Sequence, residues 1–315
     1  MANYLVTGGA GFIGSHLAAR LVSDGHAVRV LDDFSSGKHD NLSGFAQEID
    51  LLMGDMCDFE TCLRACQDVE IVFHQAAIPS VPKSVDQPVA SHNANINGTF
   101  NLLMAAHRQK VRRVIYAASS SAYGDIDVSP KREDLRPEPL SPYAVQKLTG
   151  ELYLRAFYEC FGLETLAIRY FNVFGPRQDP KSQYAAAIPA FVTAILADTP
   201  PVIYGDGEQT RDFTYIDNVV HGNVLAARAA KTTGQAVNVA CGEQISVNKI
   251  IRRINELLGK NVQPQYAPRR QGDVKHSLAD IRLARELIGY QPLIPFDEGL
   301  RLAIDYYAST ASGVS

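Results

Sequence analysis

Tyr143 and Lys147 stand four residues apart in Tyr143-Ala144-Val145-Gln146-Lys147. On a helix that spacing puts a phenol and an ammonium on one face. A free phenol titrates near 10 and is a poor base at neutral pH. Lowering its pKa by roughly 3 units asks for about 4 kcal/mol of preference for the phenolate, and a neighbouring cation has the right sign to supply it. Alone, the pair is common by chance, and two surface residues would give the same string. It is preceded by Ser119-Ser120-Ser121-Ala122-Tyr123-Gly124, directly after an apolar run. A serine hydroxyl there can hydrogen-bond a substrate hydroxyl and relay its proton to the phenol. An ordinary serine-rich turn is an equal reading for Ser120 and Ser121.

A second cluster, Thr7-Gly8-Gly9-Ala10-Gly11-Phe12-Ile13-Gly14, spaces Gly8, Gly11 and Gly14 as G-x-x-G-x-x-G. It follows a β-branched run and opens an amphipathic one. A diphosphate reaches the backbone amides of a helix N-terminus only where no Cβ obstructs it. Asp32 ends the next apolar run, 18 residues beyond Gly14. A carboxylate there can accept both ribose hydroxyl protons and repels a 2′-phosphate, which favours NAD over NADP. A plain glycine turn with a strand-end Asp is the competing reading, and the joint spacing argues against it. A nicotinamide ring would also bring positive charge to the phenol.

The elements that must hold these residues are legible as alternating runs. Tyr4 to Thr7, Val28 to Leu31, Asp50 to Met53, Ile71 to Phe73, Val114 to Ala117 and Leu166 to Arg169 predict strands. Ile13 to Val22, Ser91 to Arg108 and Ser141 to Phe161 predict helices between them. Near-continuous apolar strands separated by helices predict an α/β fold with a parallel sheet covered on both faces. After Asn172 the texture changes, and Pro and Gly punctuate a smaller mixed α/β lobe beginning near residue 175. Ser309 to Ser315, small and polar, are expected to fray.

Composition narrows the function classes. Lys plus Arg is 30 and Asp plus Glu is 34, a net charge of −4 with no basic block, which argues against nucleic-acid or anionic-membrane binding. No apolar run approaches the roughly 18 residues that span a bilayer, and Met1-Ala2-Asn3-Tyr4 has no basic region, so a cytoplasmic protein is expected. The five cysteines include no CxxC; Cys62 and Cys66, one helical turn apart, are expected as buried free thiols. No His, Asp and Glu set has metal-ligand spacing, so no metal is expected. His74 is expected to pack with its ring bonded to backbone, and His276 to lie at the surface or between lobes.

Together the glycine motif, the Ser–Tyr–Lys set and Arg169-Tyr170-Phe171-Asn172 resemble the extended short-chain dehydrogenases/reductases that act on nucleotide sugars. The resemblance runs from about Tyr4 to Tyr306. Within that superfamily the chain is most similar to UDP-hexose 4-epimerases, particularly the subgroup handling UDP-N-acetylglucosamine and UDP-N-acetylgalactosamine. It implies a Rossmann-type doubly wound parallel sheet with a smaller mixed α/β substrate lobe. Residues 1–175 would form the NAD-binding domain, with the chain returning near 210–245, and 176–315 would mainly form the nucleotide-sugar lobe.

Carried over by motif, the resemblance assigns Ser119, Tyr143 and Lys147 to catalysis. Ser119 is preferred to Ser120 because it lies four residues before Tyr123 of the Tyr-Gly pair. NAD contacts would come from Gly8, Gly11, Phe12, Ile13, Asp32, Ser35, Ser36, Gly37, Asp55, Met56, Gln75, Ala76, Ala77 and Tyr170, besides Tyr143 and Lys147. Related dehydratases carry an Asp-Glu pair before their Tyr-Gly, and decarboxylases a Glu; here Ser120, Ser121 and Ala122 offer no carboxyl group, which disfavours elimination and decarboxylation.

Two phosphates need cationic forks, and Arg211 and Arg270 are suitably separated in the second lobe. The resemblance places both on the UDP diphosphate with Asn172, Asp273 on the uridine ribose, and Val202 and Tyr204 at the uracil. Ser120 would meet the sugar beside Ser119. Relatives restricted to UDP-glucose and UDP-galactose carry a bulky Tyr where this chain has Ser277; the small side chain would leave room for an acetamido group, although a helix N-cap is its plainer reading. Ser80 and Gln178 resemble sugar contacts of the acetylated-substrate subgroup.

The implied cycle takes the C4-hydroxyl proton onto the Tyr143 phenolate, passes the C4 hydride to NAD, turns the 4-keto sugar about its anchored UDP and returns hydride to the opposite face. A nucleotide-sugar oxidoreductase with net NAD turnover shares every one of these residues. A non-catalytic NAD-sensing protein would not need Ser119, Tyr143 and Lys147 together. The resemblance also implies a homodimer through the helices at Ser91 to Arg108 and Ser141 to Phe161.

Overall fold

The computed structural model describes residues 2–180, 187–269 and 275–311. The first part alternates strands and helices: β1 (Asn3–Thr7), α1 (Phe12–Ser23), β2 (Ala27–Asp32), β3 (Ile49–Met53), α2 (Phe59–Cys66), β4 (Ile71–His74), α3 (Val81–Asp86), α4 (Pro88–His92), α5 (Gly98–Arg108), β5 (Arg113–Ser119), α6 (Pro142–Phe161) and β6 (Glu164–Tyr170). Short pieces follow: β7 (Val173–Phe174), α7 (Ala187–Leu196), β8 (Val202–Tyr204), β9 (Thr210–Arg211), β10 (Thr214–Tyr215), α8 (Ile216–Arg228), β11 (Gln235–Val239), β12 (Ile245–Ser246), α9 (Val247–Leu258), β13 (Gln265–Ala267), α10 (Arg282–Ile288) and α11 (Phe296–Ala311).

Seven strands form one sheet in the order β3-β2-β1-β4-β5-β6-β11, and every neighbouring pair is parallel. The order reverses between β1 and β4, which opens a crevice at their carboxyl ends. The parallel sheet is the one the alternating runs predict, its order is the doubly wound Rossmann type that the resemblance implies, and three two-stranded sheets lie beside it. After the excursion through β7 to α8, the chain returns to the sheet as β11. Alternate residues of each strand face opposite cores. Val6, Phe73 and Ile115 belong to a core that continues through α1 and α8 to α9 and α11, whereas Leu5, Val72 and Val114 belong to one shared with α2, α5 and α6. Both faces being covered explains why these strands read as continuous apolar runs.

Three local readings need correction. The helix expected over Ser91 to Arg108 begins at Pro88 and contains a π-helical turn, Asn93–Asn97, between α4 and α5. The extra residue in that turn aims Asn95 into the interior, a signal periodicity does not carry. Residues 309–311 continue α11, and Thr310 Oγ1 bonds back to the Tyr306 and Tyr307 carbonyls. His74 is buried, but its ring bonds to side chains: Nδ1 lies 2.9 Å from Thr7 Oγ1 and Nε2 2.8 Å from Thr99 Oγ1. Cys62 and Cys66 are free thiols on the buried face of α2, as expected, and burial pushes the Cys62 thiol up to about 12. No helix of the described residues is long and apolar enough to cross a membrane.

Candidate active site

A cleft of about 1820 Å³ crosses the carboxyl ends of the sheet strands. Its floor is the turn from β1 into α1. Gly8 has φ 66°, and a Cβ there would stand 2.6 Å from Ala76 Cα, so only glycine lets the ends of β1 and β4 come together. The N-terminus of α1 has no side-chain cap and no acidic residue in its first turn, which leaves its amide donors to an anion. Asp32, buried at the end of β2, accepts from the Ala10 amide (2.8 Å) through Oδ2 and from the Phe34 amide (2.9 Å) through Oδ1. Each oxygen keeps a lone pair for a ribose hydroxyl. Burial raises its pKa, and the two amides pull it back. A glycine cradle, open amides and an oriented carboxylate fit a dinucleotide with an unphosphorylated ribose.

The other expected cofactor residues line the same cleft: Gly11, Phe12, Ile13, Ser35, Ser36, Gly37, Asp55, Met56, Gln75, Ala76, Ala77, Tyr143 and Tyr170. Lys147 is the exception. It is buried behind the wall, its Nζ donating to the Ala117 carbonyl (2.8 Å) and lying 4.8 Å from the Tyr116 ring centroid. Burial lowers its pKa to about 7, and Glu151 partly offsets this.

Tyr143 is the second residue of α6, whose first turn is set by Pro142 and by Ser141 Oγ, which accepts from the Ala144 amide (3.2 Å). Ser119 ends β5 and faces Tyr143 across the cleft wall. Burial pushes the Tyr143 phenol up, and its hydrogen bond with Ser119 pulls it down. The sequence reading assigns that lowering to Lys147 together with a nicotinamide ring; in this structure the ammonium is turned to Ala117 and Tyr116, and Ser119 makes the stabilising contact. Ser119 Oγ also accepts from Ser121 N (3.2 Å) and Ser121 Oγ (2.9 Å), which fixes the hydroxyl at the strand end.

Of the residues expected on the sugar nucleotide, Ser80, Ser119, Ser120, Asn172, Gln178, Arg211 and Ser277 line the cleft. Arg211 donates to the Thr210 (2.9 Å) and Lys275 (3.2 Å) carbonyls. Ser277 is no helix N-cap: its amide donates to the Thr210 carbonyl (3.1 Å), and Ile281 precedes α10. Ser80 does cap a helix, accepting from the Lys83 amide at the start of α3 (3.2 Å). Val202 and Tyr204 are exposed on β8 and are not among the residues lining the cleft. Arg270 and Asp273 lie outside the described residues. His276, exposed, pairs with Thr210 Oγ1 (2.8 Å).

Several supporting residues escape motif reading. Asn95, aimed inward by the π turn, donates to Gln146 Oε1 (2.8 Å) and accepts from the Ile78 amide (2.8 Å), tying α6 to the loop after β4. Tyr116 lies under α6 against Gly150, where a Cβ would stand 2.4 Å from its hydroxyl. That close approach sets how deep α6 sits on β5. Arg169 and Glu151 form a buried bidentate pair (3.0 and 2.7 Å), with the guanidinium over the Tyr123 ring. A helical pattern shows Glu151 one turn after Lys147, but nothing in the sequence pairs it with Arg169. Among the described residues, no three His, Cys, Asp or Glu side chains gather as metal ligands.

The fold and the cleft define a doubly wound α/β protein with a dinucleotide turn and a phenol–serine pair at one crevice. The chain belongs to the NAD dependent epimerase/dehydratase family, whose model matches residues 4–240. It is 38% identical over 307 residues to the UDP-glucose 4-epimerase of Mycolicibacterium smegmatis, covering 96% of this chain and 97% of that one. Among solved structures, the UDP-N-acetylglucosamine 4-epimerase of Methanobrevibacter ruminantium in complex with UDP-N-acetylmuramic acid matches with a TM-score of 0.94 and 40% identity, covering 98% of this chain and 99% of that one. The UDP-glucose 4-epimerase of Thermotoga maritima with UDP-glucose matches with a TM-score of 0.94 and 37% identity, over the same shares.

Proposed function

We propose that the chain is an NAD-dependent UDP-hexose 4-epimerase acting on the UDP-GlcNAc/UDP-GalNAc and UDP-Glc/UDP-Gal pairs. The observation that carries the reading is the meeting of Tyr143 and Ser119 at a cleft floored by the dinucleotide turn, with no carboxyl side chain at Ser120, Ser121 or Ala122. Bound NAD would supply the hydride acceptor and donor for the sugar's C4. Tyr143 takes the C4-hydroxyl proton and gives it back. Ser119 orients that hydroxyl, and Lys147 holds positive charge behind the phenol. The reading retains residues 1–175 as the cofactor domain, with the return near 210–245, and 176–315 as the main sugar-nucleotide lobe.

Arg211 and Asn172 anchor the UDP diphosphate in this reading, joined by Arg270, while Asp273 takes the uridine ribose and Val202 and Tyr204 the uracil. The small Ser277, together with Ser80 and Gln178, leaves space for an acetamido group. A homodimer through α5 and α6 is part of the same proposal, supported by the exposed apolar side chains Phe100, Val145, Leu152 and Phe161 on those helices. So is a cytoplasmic location, supported by the unpaired Cys62 and Cys66. Incubation with UDP-Glc, UDP-GlcNAc and UDP-GlcA separately, with the product's C4 configuration read by NMR, tests the substrate assignment. Conversion of both UDP-Glc and UDP-GlcNAc is expected; conversion of UDP-Glc alone removes the argument from Ser277.

A further inference from the structure

The segment Gly175–Asp179 lies along the cleft and is tied down from three directions. Tyr307 of α11 holds its hydroxyl 3.0 Å from the Gly175 carbonyl and 2.8 Å from the Gln178 carbonyl. His16 of α1 donates through Nε2 to the Pro176 carbonyl (3.0 Å). Lys38, next to Gly37 in the loop after β2, pairs with Asp179 (3.3 Å). Two of these ties belong to the dinucleotide side: His16 sits one turn beyond Phe12, and Lys38 follows the Ser35-Ser36-Gly37 stretch.

Arg177 stands in the middle of this strap with φ 64°, a conformation that L side chains rarely adopt. Arg177 is among the residues lining the cleft, and among the described residues its buried Nη1 meets no acceptor. A buried guanidinium nitrogen without an acceptor is costly, and strain of this kind persists where a ligand uses it. Nearby His16 does not compete for an anion. Burial holds its imidazole down at about 4, with the Arg177 charge pulling the same way, so it is neutral at pH 7.

We propose that Arg177 is a cofactor-binding residue whose guanidinium takes the diphosphate of the dinucleotide, and that the strap Gly175–Asp179, pinned by Tyr307, keeps that cofactor from leaving. The proposal rests on the NAD reading above and adds a cation to a site otherwise furnished with backbone amides. An epimerase that returns the hydride it took needs such retention, since loss of the reduced cofactor would strand the sugar.

The test is the release rate of NAD from loaded protein, followed by rapid gel filtration and counting of free NAD at two salt concentrations. Arg177→Gly is the main variant, because glycine accepts the φ at that position and the backbone is under no new strain. Its release is expected to be about tenfold faster than wild type and to lose the wild-type acceleration by salt, with Arg177→Lys in between. Tyr307→Phe is expected to release roughly two- to threefold faster by loosening the strap. Equal release from Arg177→Gly and wild type overturns the proposal alone. So does unchanged release with weakened UDP binding by calorimetry, which would give Arg177 to the sugar nucleotide. A wild-type chain that retains no NAD overturns this proposal and the function above together.

Discussion

On the dinucleotide side of the cleft, Asp32 is held by two amides, Gly8 packs on Ala76, and Thr7, His74 and Thr99 are joined ring to hydroxyl. On the opposite side, Arg211 lies on a two-residue strand and leans on main-chain carbonyls, and outside the cleft lining Val202 and Tyr204 of the same lobe are exposed. The first wall is built from the ends of a seven-stranded sheet packed on both faces; the second is built from two-stranded sheets, which cannot stabilise themselves without neighbouring packing. The difference matches the two demands of a 4-epimerase: a cofactor that stays, and a sugar that must turn.

The largest effect should come from the phenol between the two walls. Tyr143→Phe is expected to lower turnover by about 10³- to 10⁴-fold while NAD stays bound, read by initial rates and by cofactor content. Near-normal turnover would remove Tyr143 from the mechanism. Glu151→Gln leaves Arg169 buried without its carboxylate, and about 3–5 kcal/mol of stability is expected to go, measured by denaturant unfolding. A loss below about 1 kcal/mol would mean that the pair does not hold β6 and α6 together.

The contrast between the sheet ends and the smaller lobe is sharpened by a matched pair. Gly8→Ala puts a Cβ against the Ala76 backbone at positive φ, and about 3 kcal/mol and NAD binding should be lost together. Val202→Ala, on an exposed residue, should change stability by less than about 0.5 kcal/mol. Similar costs at both sites would erase the distinction. The smallest signal is spectroscopic. In the absence of NAD the Tyr143 phenol, raised by burial, should ionise above the ordinary value of about 10. Bound NAD⁺ should bring it down, read as the 295 nm difference between wild type and Tyr143→Phe. An unmoved titration would take the cofactor's charge out of the activation of the phenol.

The sheet was legible because strands covered on both faces must be apolar throughout, and the glycine turn because a diphosphate tolerates no Cβ. What the sequence hid depends on contacts between distant segments. Asn95 reaches Gln146 only because a π turn rotates it inward, and Arg169 finds Glu151 through the stacking of β6 on α6. His74 was recognisable as buried, but its threonine partners come from β1 and α5, far apart in the chain. Lys147 reads as a companion of Tyr143 by spacing, yet its ammonium bends toward Ala117 in the folded chain, because a charge under a helix seeks the nearest carbonyl. The competing reading of Ser277 as a helix cap fails because its amide joins the Thr210 strand.

The central claim is that this cleft inverts C4 and hands its hydride back. UDP-GlcNAc incubated with enzyme and excess NAD⁺, with product configuration followed by NMR and absorbance at 340 nm in the same sample, tests it most directly. The account predicts accumulation of the C4 epimer to equilibrium with no steady rise at 340 nm. A continuous rise at 340 nm with formation of an oxidised sugar, or no change at C4 with any UDP-hexose, would contradict it.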